Sequence, residues 1–141
     1  MKTEAIWNSA DDERGDFIIF HRFQQIDLNG DHPKILVSIS IEYSTFFGSG
    51  LPDDDGFDTI DAFEDAAADF FDQIDGYEVF WICTGKGKLT WLLTSDYAQA
   101  PPFSYPAAQV HLNSADESKQ WIAQYQSLLA DWNNNLLTRG E

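Results

Sequence analysis

Hydrophobic and polar residues alternate along residues 35–43, with Leu36 as the one exception. The hydrophobic positions are Ile35, Val37, Ile39, Ile41 and Tyr43, and the positions between them include Ser38, Ser40 and Glu42. A period of two is typical of a β-strand with one buried face. Residues 77–83 and 88–95 are instead hydrophobic at nearly every position, which predicts two central strands joined by a hairpin turn at Thr84-Gly85-Lys86-Gly87.

The N-terminal third predicts two further strands. Residues 4–9 predict a short strand that ends in a charged turn over residues 11–15. Residues 16–24 are rich in β-branched and aromatic side chains, which favour extended structure.

Helical periodicity occurs twice, after a loop predicted over residues 44–56. Steps of three and four along residues 57–75 place one apolar stripe on a helix: Ile60, Phe63, Ala67, Phe70 and Ile74. A second helix is predicted over residues 114–137, opened by a capping box at Ser114 and Glu117, with the stripe Ile122, Tyr125, Leu129, Trp132 and Leu136. Three prolines predict an irregular connection over residues 97–112.

This order of elements predicts an α+β fold in which an antiparallel sheet of about five strands carries two main helices on one face. The chain has 141 residues, which predicts a single domain over residues 1–141.

The chain is strongly acidic, with 24 Asp and Glu against 8 Lys and Arg and a formal net charge of −16. Nucleic acid and anionic membranes are therefore unexpected partners, because both are bound through clustered cations. The sequence predicts no signal peptide and no membrane-spanning segment, so a cytoplasmic protein is expected. One cysteine and three scattered histidines predict no disulfide and no zinc site.

The acids concentrate in the middle of the chain: seven in residues 1–34, twelve in 35–85 and five in 86–141. Residues 35–85 contain no Lys or Arg. Five aspartates recur along one face of the first predicted helix and are called the acidic stripe: Asp58, Asp61, Asp65, Asp69 and Asp72. Asp69 and Asp72 oppose the helix dipole, so local stability does not account for the stripe. A purely solubilising surface, as in halophilic proteins, is the alternative.

Catalytic and cofactor chemistry are not indicated. A calcium loop centred on Gly56 lacks carboxylates at its first and twelfth positions, Leu51 and Ala62. The Lys86 turn lacks the spacing of a phosphate-binding loop. His21 and Cys83 lie in apolar strands, which favours packing roles. We therefore expect a protein that is not an enzyme and that holds no metal or cofactor.

Docking of an electropositive protein is the function that the acids favour. The expected contact residues are Asp53, Asp54 and Asp55 together with the acidic stripe. Phe46 and Phe47 are adjacent aromatics in the loop, which Phe57 flanks on its other side. One of the pair can anchor the loop while the other meets a partner as an apolar contact.

Several short elements resemble an uncharacterised bacterial domain family grouped with the regulator of ribonuclease activity B. They are a strand ending in Tyr43, Gly50-Leu51-Pro52, a helix carrying Glu64, the glycine hairpin followed by Trp91, and the spaced pair Trp121 and Tyr125. The resemblance implies a ferredoxin-like sandwich and, for the regulator, an acidic protein that binds and inhibits an endoribonuclease. The long acidic C-terminal tail of that regulator is absent from this chain.

Three functions follow from these patterns. The first is an immunity protein that neutralises a basic nuclease-type toxin, since such a target has a positive active site. The second is a regulator of a housekeeping endoribonuclease. The third is a small-ligand module or an enzyme of unknown chemistry, using a pocket between the sheet and the 97–112 connection.

Overall fold

The computed structural model of the chain describes residues 7–14, 17–26, 35–46, 50–97, 99–134 and 138–139. Its elements are β1 (Asn8–Arg14), β2 (Phe17–Phe23), β3 (Leu36–Glu42), α1 (Asp54–Asp72), β4 (Tyr77–Gly85), β5 (Lys88–Ser95), β6 (Gln109–Leu112), α2 (Ala115–Asn133) and β7 (Thr138–Arg139). The strands form one antiparallel sheet in the order β6-β3-β5-β4-β2-β1-β7. The predicted α+β class is confirmed, but the sheet has six strands of four or more residues and the two-residue β7, not about five.

The two helices lie on opposite faces of the sheet, so the prediction that they share one face is wrong. Phe63 of α1 packs edge-on against Trp91, whereas Tyr125 of α2 packs edge-on against Phe80. Each helix has its own core cluster, and both clusters draw residues from β3, β4 and β5. The physical reason is that a strand apolar on both faces must be covered on both.

A ferredoxin-like sandwich is not confirmed, because the crossover from β5 to β6 on the α1 side contains no helix in residues 99–108. Phe103 and Tyr105 of this irregular connection instead pack against Phe63, with ring centroids 6.1 and 5.6 Å apart. The helix that a ferredoxin-like sandwich has at this crossover is thus replaced by aromatic side chains from a loop.

The first strand is shifted from its predicted position. The charged residues Asp11–Arg14 form the second half of β1 and not a turn, and they pair in register with Phe17–Phe20 of β2. Charged residues have low strand propensity, but propensity is easily overridden near a sheet edge, where one strand partner suffices. Residues 4–6 of the predicted strand lie outside the described residues.

Both helix predictions are confirmed with changed limits. α1 begins and ends three residues before the predicted 57–75, and its buried side chains include Phe71 in place of Phe70. The capping box of α2 forms as predicted: Glu117 N donates to Ser114 Oγ at 3.1 Å, and Ser114 N donates to Glu117 Oε1 at 2.9 Å. Among the described residues, no helix is long and apolar enough to cross a membrane.

Candidate protein-docking surface

The outer face of α1 is an unbroken row of carboxylates. All five members of the acidic stripe are exposed, as are Asp54 and Asp55 in the first turn. At 1.5 Å rise per residue, the row from Asp54 to Asp72 is about 27 Å long. The helix itself contains no Lys or Arg, and its last turn contains no basic residue. The structure therefore brings together seven of the sequence-predicted aspartates on one surface.

Asp53 has a different role from the other predicted aspartates, because it caps α1. Its carboxylate accepts hydrogen bonds from Ser44 Oγ at 2.6 Å and from the backbone N–H of Gly56 at 2.8 Å. Both hydrogen bonds stabilise the charged carboxylate and hold the pKa of Asp53 below its ordinary value, and the bond from Ser44 has the larger effect. Gly56 is required beside this cap, since an added Cβ would lie 2.1 Å from Ser44 O. Asp53 therefore positions the N-terminal end of the surface.

The cap predicts a specific pH dependence. The pKa of Asp53 is lower in the folded protein than in the unfolded chain, where it is about 3.9. The charged cap therefore stabilises the fold fully above the unfolded pKa, and this stabilisation is lost as the pH falls through the folded pKa. Asp53→Ala is thus expected to lower the melting temperature at neutral pH, by a margin that shrinks below about pH 4. Asp53→Asn, which keeps an N-cap acceptor, is the matched control and should melt close to the wild type at neutral pH. Thermal unfolding followed by circular dichroism measures this, and a margin independent of pH would contradict the assignment.

Glu64 lies on α1 but does not belong to the docking row. Its Oε2 accepts a 2.6 Å hydrogen bond from Arg22 Nη2 and a 3.2 Å bond from Trp91 Nε1. These contacts connect the helix to β2 and β5, and the charge of Arg22 compensates that of the carboxylate. Glu64 and Trp91, which the sequence resemblance picked out separately, are therefore contact partners. The same holds for Tyr43 and Gly50, since Tyr43 Oη donates to Gly50 O at 2.8 Å.

Exposed aromatic rings stand at the N-terminal end of the acidic row. Phe46 is 56% exposed and Phe57 is 53% exposed. Two backbone hydrogen bonds hold Phe46 near the helix start: Phe46 N donates to Leu51 O, and Asp53 N donates to Ser44 O. Phe47 lies outside the described residues. Phe57 was not among the predicted contact residues, although its position outside the Ile60–Ile74 apolar stripe was a signal that a large apolar side chain would face solvent.

A cavity of about 620 Å³ opens at the C-terminal end of the acidic row. Asp72 contributes to its wall together with Trp7, Ala68 and Gly76. Glu78 and Asp96 also line this recess, so the acidic row has two exposed phenyl rings at its N-terminal end and continues into an acidic recess at its C-terminal end.

The remaining candidate residues have packing roles. His21 is buried, and its Nδ1 accepts a 3.1 Å hydrogen bond from Trp81 Nε1. Burial raises the pKa of the Cys83 thiol, which disfavours the thiolate that a nucleophile needs. Within the described residues, no group of three or more His, Cys, Asp or Glu side chains is arranged to hold a metal ion.

In comparisons with known proteins, no family model, no curated protein and no solved structure matches the chain.

Proposed function

We propose that the protein is a non-catalytic inhibitor that docks an electropositive protein through α1. The observation that carries this proposal is the exposed row of seven aspartates, with no cation in the helix and two exposed phenyl rings at its N-terminal end. Like charges at helical spacings of three and four residues destabilise a helix, so the row costs stability. A partner of opposite charge converts that cost into attraction and accelerates association.

The partner that fits this surface best is a nuclease. An enzyme that cleaves nucleic acid must attract phosphate, and its active site therefore has the positive field that an acidic blocker requires. Phe46 and Phe57 act as apolar anchors at the helix start, where fully desolvated aromatic contacts supply affinity beyond that of exposed charges. Binding then occludes the catalytic cleft. In a cell that secretes a nuclease toxin, this activity is immunity.

The proposal is tested by affinity capture with the purified wild-type protein from cells of the native organism, followed by elution with increasing salt. We expect a basic nuclease to be retained at low salt and released at moderate salt, and we expect added wild-type protein to inhibit its nucleolytic activity at a stoichiometric ratio. A secreted toxin as the retained protein supports immunity, whereas a housekeeping endoribonuclease supports regulation. A retained nuclease that stays fully active, or recovery of no basic protein, contradicts the proposal.

A further inference from the structure

A second cavity, of about 510 Å³, lies on the opposite face of the sheet beside α2. Its floor is a pair of neighbouring cross-strand rows: His21, Cys83 and Thr90 form one, and Ile19, Gly85 and Lys88 form the next. Successive same-face rows are about 7 Å apart along a strand. α2 forms the wall of the cavity, through Trp121, Gln124, Ser127, Leu128 and Asp131. The volume falls within the range of roughly 300–1,000 Å³ that small-molecule sites occupy.

The walls of this cavity are aromatic. Trp81 and Trp121 both line it, and their rings meet edge-to-face with centroids 5.8 Å apart. The hydrogen bond from Trp81 Nε1 to His21 fixes the orientation of the indole, and packing of Trp121 from the helix fixes the other ring. Trp81 is 3% exposed and His21 stacks on it with ring centroids 5.9 Å apart, so the more exposed ring of Trp121 is the surface that a flat unsaturated ligand contacts.

The charges around the cavity differ from those of the rest of the molecule. Two of the chain's eight cations, Lys86 and Lys88, line the end of the cavity nearest the β4–β5 turn. Positive φ angles of 54° at Lys86 and 79° at Gly87 define this tight turn, which places both lysines at the same end. Asp131 lines the opposite, helical wall, beside Gln124 and Ser127. Glu42 lies opposite Lys88 on β3, but the two lysines outweigh this one carboxylate, so this end attracts an anion in a protein of net charge −16.

We propose that the cavity binds a small aromatic carboxylate whose ring carries a hydrogen-bond donor. The carboxylate contacts Lys86 and Lys88, the ring lies against Trp121, and the donor on the ring faces Asp131. The carboxylate of Asp131 repels an acid at its own end of the cavity, so the two ends together fix the direction in which the ligand enters. This site shares no side chain with the docking surface on α1, and its occupancy does not depend on the proposed function.

The probes are three compounds of similar size: 4-hydroxyphenylacetate has both the acid and the donor, 4-methylphenylacetate has only the acid, and tyramine has the donor with a cation in place of the acid. Each is titrated into ¹⁵N-labelled protein while the indole N–H resonances are followed by NMR. We expect 4-hydroxyphenylacetate to shift the Trp81 and Trp121 resonances saturably at about millimolar concentration or below, and to bind most tightly of the three. Tyramine binding as tightly as the acid, or no saturable shift at Trp81 and Trp121, overturns the proposal.

Two matched pairs of variants locate the site. Ser127→Trp places a bulky side chain in the cavity from an exposed helical position and should abolish binding, whereas Asn133→Trp, also exposed on α2 but outside the cavity, should not. Lys88→Glu should weaken binding of 4-hydroxyphenylacetate by about tenfold. Lys119→Glu, the control on α2, should leave it unchanged. Folding of each variant is checked by NMR, since the resonances of α1 should keep their wild-type positions. Equal weakening of binding by the variants and by their controls overturns the assignment.

Discussion

Replacing Asp61, Asp65 and Asp69 together by asparagine is expected to stabilise the protein while weakening its binding to the basic partner by roughly a hundredfold. The three changes remove four like-charge contacts at spacings of three or four residues within the row, each worth about 0.2–0.5 kcal/mol. They also remove one negative charge from the unfavourable C-terminal end of the helix dipole. The free energy of unfolding should therefore rise by about 1–2 kcal/mol.

The two readouts are urea unfolding for stability and surface plasmon resonance for affinity, the latter against the nuclease recovered by affinity capture. A control triple, Glu42→Gln/Asp116→Asn/Asp131→Asn, removes the same number of charges from positions outside α1 and should change the affinity by only a small factor. If both triples weakened binding equally, the whole-molecule charge would be responsible and not the surface of α1. If neither did, the row of aspartates would be a solubilising surface.

Phe63→Ala is expected to cost about 3–5 kcal/mol of stability, the largest effect of any single change considered. Phe63 is 0% exposed, and its ring packs against Trp91, Phe103 and Tyr105. Truncation therefore opens a cavity between α1, β5 and the connection that replaces a second helix. Since small domains have only about 5–15 kcal/mol in total, much of the variant should unfold on mild warming.

The same helix offers a matched control for this change. Phe57→Ala removes the same side chain from a position that is 53% exposed, and it should alter the free energy of unfolding by no more than about 0.5 kcal/mol. Its affinity for the nuclease should nevertheless fall, because Phe57 is proposed as an apolar anchor. Equal destabilisation by the two substitutions in urea titrations would contradict the packing described for α1.

The central strands were predictable because their patterns have a direct physical cause. The alternating pattern predicted the limits of β3 to within one residue at each end, and the continuous apolar runs predicted β4 and β5. Periodicity also located α1, but the predicted start was late, because Asp54–Gly56 look like a loop until Asp53 is recognised as the cap. The Asp53 cap also accepts a hydrogen bond from the hydroxyl of Ser44, nine positions away, and no local sequence pattern predicts that contact.

Other features depend on tertiary structure and could not be obtained from periodicity. A helical stripe indicates that a face is buried but not which side of the sheet buries it, although the two-sided apolarity of β4 and β5 was a signal that both sides are covered. The acidic row was predicted residue by residue, since exposure of one helix face follows from burial of the other. The cavity beside α2 was not predicted, because it combines β2, the β4–β5 turn and a helix more than thirty positions further along the chain.

The strand order has a consequence for how the chain folds. β4 and β5 can pair as soon as the Lys86–Gly87 turn forms, whereas β2 and β3 reach their places beside this hairpin only after closing loops of about fifty to sixty residues. Contacts of such sequence separation are slow to form. The hairpin is therefore expected to be the folding nucleus, and its turn, with Lys86 and Gly87 both at positive φ, sets how fast the native state is reached.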